Sequence, residues 1–104
     1  MSVPFYQDIA HAAVSVLKKV DNQHLQMVAH HELTKKFPHV AEELIGEHFD
    51  FAARFLERAC FYAGKVRDEK FPEDKAMERL KAEFPNMIEG DYFTAMAHGY
   101  FVSR

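Results

Sequence analysis

Apolar residues recur along this chain at three- and four-residue intervals, and no segment alternates apolar and polar positions as a β-strand would. Three Phe-Pro steps divide the pattern, at Phe37-Pro38, Phe71-Pro72 and Phe84-Pro85. Proline disfavours helix in the residue before it and is well suited to opening the next segment. Each step therefore reads as the end of one helix and the start of the next segment. The first two steps lie 34 residues apart, but residues 37–70 and 71–104 share almost nothing after Phe-Pro itself. The spacing is not a helical repeat.

The pattern predicts an all-α chain, a small bundle of about five helices in a single domain, 1–104. The first helix runs from about Pro4 to Val20, with Phe5, Ile9, Ala12, Ala13, Val16 and Val20 on one face. Asp21-Asn22 supplies a turn and an N-cap. The second runs to about Lys36 with Leu25, Val28, Ala29 and Leu33 inward, the fourth spans about Glu73 to Phe84, and the last about Glu89 to Val102.

The third is the long one, about 38–70, opening at Pro38 with Glu42 and Glu43 near its positive end. Its apolar stripe is broad, from Val40, Ala41, Leu44 and Ile45 through His48, Phe51, Ala52, Phe55, Leu56 and Ala59 to Tyr62 and Val66. A helix of that length spans roughly 48 Å. That is long for a chain of 104 residues, whose compact radius of gyration would be about 13 Å. Two readings fit: a break at Gly46 or Gly64, or a projecting end that packs on a second copy of the chain. Phe61 lies off the stripe and calls for a neighbouring helix or a partner.

Composition adds limits. Ten Phe and four Tyr among 104 residues rule out a disordered chain, and the lone Cys60 rules out a disulfide framework. Residues 1–8 lack the basic-then-apolar pattern of a secretory signal, and no run is long enough to span a bilayer. A cytoplasmic protein is the expectation.

The net charge of −3 lies wholly in residues 1–52, while 53–104 balance. Within 42–50, Glu42, Glu43, Glu47 and Asp50 stand without a single base. Nucleic-acid binding calls for a basic stripe instead. Lys18-Lys19 and Lys35-Lys36 make one only if two chains pool them, and that pooled set is the basis of the alternative reading, a DNA-binding transcriptional regulator. The segment Gly90–Gly99, placed like a recognition helix, has no Arg, Lys, Asn or Gln to read base edges.

Seven histidines raise a metal or haem site, a second alternative using His24, His31, His39 or His48. Ligands on one helix must lie three or four residues apart. His24 and His31 are seven apart, and His30 and His31 are adjacent. His39 and Glu43 have the right spacing in what reads as an exposed first turn. No Glu precedes His48 or His30 by three, so the di-iron pattern is missing. His48, on the apolar stripe, reads as a buried hydrogen-bonded side chain, and no metal or other cofactor is assigned.

Cys60 sits in mid-helix with no visible activator and reads as a small hydrophobe. Glycines occur singly, at 46, 64, 90 and 99, and serine only at 2, 15 and 103, in no nucleophile setting. An enzyme is not expected. Leu80-Lys81-Ala82-Glu83-Phe84-Pro85-Asn86-Met87-Ile88 resembles the Phe-Pro turn of ubiquitin-binding CUE domains over that stretch alone. The following helix of those domains, with its dileucine, is lacking, so no family is assigned.

The expectation is a non-enzymatic regulator or adaptor that binds protein and pairs with itself. Two surfaces are its candidates. One is the acidic edge Glu42, Glu43, Glu47 and Asp50, suited to a basic protein surface. The other comprises Phe61 and the aromatic residues of the last helix, Tyr92, Phe93, Tyr100 and Phe101.

Overall fold

Each Phe-Pro step ends a helix. A computed structural model describes residues 5–18 and 23–102, the side chains of 23–28 and 102 excepted. In it α1 is Gln7–Leu17, α2 Gln23–Lys36, α3 Glu42–Glu69, α4 Glu73–Glu83 and α5 Glu89–Val102. The expected cap at Asp21-Asn22, the first helix's ends at Pro4 and Val20, and the inward side chains of Leu25 and Val28 lie outside the described residues. There is no strand among those that are described.

Two of the steps show why the prolines act as they do. Pro72, with φ −59° and ψ 130°, stands as the N-cap of α4, where its missing N–H costs no helical bond. Phe84 leaves the helical region, with φ −133° and ψ 71°, one residue ahead of Pro85.

The long helix opens later than its proline suggests. The Val40 N–H donates to the Phe37 carbonyl at 3.1 Å, which closes a turn over Pro38 and His39. The helical pattern takes hold only when the N–H groups of Leu44 and Ile45 both reach the Ala41 carbonyl, at 3.0 and 3.1 Å. His39 is therefore outside the helix, and its four-residue spacing to Glu43 does not place the two on successive turns.

From Glu42 the helix continues unbroken through Gly46 and Gly64 to Glu69, 28 residues or about 42 Å. Lys70 then turns left-handed, φ 56°, and the Phe71 N–H reaches back to the Lys65 carbonyl at 3.4 Å. Glycine is the residue that adopts this geometry without strain.

Two compact units divide the chain inside α3, residues 1–53 and 54–104. In the first, Ile9, Ala10, Ala13, Val14 and Leu17 of α1, Ala29 and Leu33 of α2, and Ile45 and Ala52 of α3 are buried. The inner face of α1 includes Val14, while Val16, expected inside, is half-buried.

In the second unit Phe55 is fully buried. The rings of Phe84 and Tyr92 meet it edge-on, at centroid distances of 5.3 and 5.8 Å. Tyr92 also ties down the α4–α5 connection: its hydroxyl donates to the Phe84 carbonyl and accepts the Met87 N–H at 3.3 Å. Two helices come close at Gly99 of α5. A Cβ there would lie 2.8 Å from the Ala59 carbonyl oxygen and 3.0 Å from the Ala63 Cβ. Small residues on both sides let the two backbones come together, and only glycine fits at the contact.

Candidate functional site

The acidic edge is where periodicity places it. Glu42, Glu43, Glu47 and Asp50 are all exposed, and none forms an ion pair among the described residues. Glu42 and Glu43 occupy the first turn of α3, where the helix dipole favours negative charge.

His48 is buried, 3% exposed. Its Nε2 accepts the Tyr6 N–H at 2.9 Å, and its Nδ1–H donates to the Leu44 carbonyl at 2.8 Å. The ring stacks on Phe5 at 5.3 Å. Both nitrogens are engaged, Nε2 with the segment before α1 and Nδ1 with the backbone of α3 itself, so this histidine has the hydrogen-bonded core role expected of it. His30 meets the ring of Phe49, His31 is exposed and His39 lies in the turn. The side chain of His24 is outside the described residues. No three His, Cys, Asp or Glu side chains converge among the described residues.

Around Phe61 the structure assembles a cluster that no short sequence motif announces. The Arg58 guanidinium lies 4.6 Å from the Phe61 centroid and 5.1 Å from that of Tyr62. It also grips Glu83 of α4 with two bonds, Nε to Oε1 at 2.9 Å and a terminal nitrogen to Oε2 at 3.3 Å. The Tyr62 hydroxyl donates to the same carboxylate.

These contacts hold the Glu83 carboxyl below its ordinary range, through Arg58 first and Tyr62 second. Burial, then the bond to Glu83, pushes the Tyr62 phenol up. Lys65 lies 5.5 Å from the rings of both Phe61 and Phe71, and Arg79 caps the Phe71 ring at 5.0 Å. Cations and aromatic rings thus alternate across this face. Arg58, Phe61, Tyr62 and Lys65 sit at helical spacing, a signal visible in the sequence. Glu83, 25 residues beyond Arg58, is not. Nearby Cys60 is half-buried, and burial, with Glu57 adding, pushes its thiol up. That favours the unreactive protonated form.

The last helix divides its aromatic residues. Tyr92, Ala95, Met96 and Gly99 are buried, so Tyr92 belongs to the core and not to the surface. Tyr100 is half-buried, its phenol pushed up by burial and by the Glu73 carboxylate. Phe93 and Phe101 point outward, 60% and 68% exposed, with exposed Ala97 between them.

No Lys, Arg, Asp or Glu occurs from Tyr92 to Val102. A helix apolar on both faces is normally covered on both, and here one face lies exposed in the single chain. Among the candidate surfaces, the outer face of α5 from Phe93 to Phe101 is the most apolar. No known protein family, curated protein or solved structure matches the chain. Among the described residues no helix is long and apolar enough to cross a membrane.

Proposed function

We propose that the protein is a small non-enzymatic regulator or adaptor of the cytoplasm, that it acts by binding protein, and that it works as a homodimer. The observation that carries this reading is the outer face of α5, where Phe93, Ala97 and Phe101 stand exposed on a helix already apolar inside. Exposed aromatic side chains are the usual anchors of protein interfaces. The same face argues for protein over DNA, since it offers no side chain able to read a base edge. The acidic edge, with no ion pair among the described residues, fits a role in steering a basic partner surface.

Phe93 and Phe101 together expose roughly 250 Å² per chain, well under the roughly 800 Å² per partner of a standard interface. At about 25 cal/mol per Å², covering them on two chains offsets little more than the cost of association. The dimer is therefore weak and shifts with concentration. Light scattering across a dilution series tests it. The expected result is a mass moving from 12.1 kDa towards twice that value in the micromolar-to-millimolar range. A single-chain mass throughout overturns the homodimer.

A further inference from the structure

Tyr6 opens α1 without a side-chain cap, and its carbonyl accepts the Ala10 N–H at 3.1 Å, the first bond of the helix. Its own N–H donates to Nε2 of His48 at 2.9 Å. A backbone N–H only donates, so Nε2 carries no proton. The neutral ring then has its proton on Nδ1, where it is donated to the Leu44 carbonyl at 2.8 Å. The contact exists for one protonation state and one tautomer.

A second proton would set an N–H on Nε2 against the Tyr6 N–H, two donors with no acceptor between them. The added charge would also lie at the positive end of α1, where the helix dipole disfavours it. Other charges near the contact are on the outside. Tyr6 itself stacks on the ring at 6.0 Å. Asp8, His11 and Lys18 on the α1 side and Glu43, Glu47 and Asp50 on α3 are exposed. On α2, His30 meets Phe49, while His31, Glu32, Lys35 and Lys36 are exposed. Neither ring nitrogen bonds any of these side chains. Solvent and salt screen exposed charges, so the pairing at Nε2 decides the outcome.

We propose that His48 is a proton-operated latch: neutral, it holds residues 5 and 6 and the start of α1 on α3, and on taking a proton it releases them. Histidine is the side chain whose charge changes in mild acid. Release also lifts Phe5, whose ring stacks on His48 at 5.3 Å and meets Phe51 edge-on at 4.9 Å. Mild acid thereby uncovers aromatic surface in the first unit. The latch is independent of the homodimer reading and adds a condition under which the surface of the chain changes.

Nuclear magnetic resonance on the full chain tests it, between about pH 7.5 and about pH 5. The lower value is still above the range in which Glu83 takes a proton. At the upper value, long-range proton–nitrogen spectra are expected to show His48 with a bare Nε2 and a protonated Nδ1. The Tyr6 amide is expected to exchange at least about tenfold slower than in an open chain. At the lower value both nitrogens are expected to carry protons, and Tyr6 to lose that protection while Phe55 keeps its own. A proton on Nε2 at the upper value, a ring still neutral at the lower one, or a charged ring with Tyr6 still protected each overturns the latch. His48→Gln supplies a carbonyl acceptor at every pH, and is expected to keep Tyr6 protected throughout. Loss of protection with acid in that variant assigns the effect to another group and overturns the proposal. The measurements on the unaltered chain decide the question even where the variant does not fold.

Discussion

Phe61 and Phe93 expose comparable fractions of their rings, 48% and 60%, in opposite surroundings. Phe61 has a guanidinium at 4.6 Å and an ammonium at 5.5 Å, and Tyr62 packs edge-on against it. Charged groups that bring their own hydration border the ring, so water is an adequate neighbour. Phe93 lies on a stretch of α5 with no charged residue. Percentage exposure alone would rank the two together, and their neighbours separate them. An exposed aromatic residue among cations completes a surface, whereas one on a largely apolar helix face leaves apolar area open to water.

The largest effect belongs to the ring that both faces leave hidden. Phe55→Ala, at a fully buried site, is expected to cost about 3–5 kcal/mol in urea unfolding. Phe93→Ala in dilute protein is expected to change stability by less than about 0.5 kcal/mol. A comparable loss at both positions would mean that the chain itself covers Phe93, and the contrast would be lost.

Gly99→Ala comes next. Its new Cβ meets backbone atoms of Ala59, which cannot rotate away, and the expected loss is about 1–3 kcal/mol. Because Gly99 faces inward, the unfolding midpoint should move before any change in dimer mass.

The Phe61 cluster is expected to respond more weakly and without touching association. Phe61→Ala removes two cation–ring contacts, a loss of about 1 kcal/mol, with the mass distribution unchanged. Acid tests the same cluster. The folded state holds the Glu83 carboxyl below its ordinary value of 4.5, through Arg58 and then Tyr62. Its contribution is therefore present above that pH and lost as pH falls through the lowered folded value. Arg58 and Glu83 are 40% and 36% exposed, so solvent screening keeps the effect under about 1 kcal/mol. Glu83→Gln should remove that share of the acid-induced loss in a pH series of urea melts.

The smallest effects are gains. Gly64 faces open space in mid-helix, and Gly64→Ala is expected to stabilise by about 0.5–1 kcal/mol. Lys70→Gly should give a similar gain by relieving the left-handed backbone at φ 56°.

Residue order makes legible what local sterics decide. The helix ends at the Phe-Pro steps, the inward placement of Ile45, Ala52, Phe55, Leu56, Ala59 and Tyr62 on α3 and the core placement of His48 are all consequences of spacing. Ala41 of the expected stripe is exposed ahead of the helix, and Val40, Leu44, Phe51 and Val66 are half-buried. The start of α3 at Glu42 was not legible, because Pro38 fits a turn as well as a helical start. Nor do glycines reveal whether a helix breaks: Gly46 and Gly64 each weaken α3, and its continuous apolar stripe outweighs them. Contacts between distant segments lay beyond reach, such as Tyr6 to His48 across 42 residues and Tyr62 to Glu83 across 21. For α5, adjacent Tyr92 and Phe93 show that one must face out. Spacing does not say which.

The notch at Gly99 makes that choice. Sliding α5 by one turn would bring Ala95 into the slot, and its methyl would strike the Ala59 carbonyl where no hydrogen-only residue yields room. The helix is thereby keyed in both height and azimuth, and Phe93, Ala97 and Phe101 inherit a fixed heading. A single missing methyl on the inside thus sets the aim of three side chains on the outside.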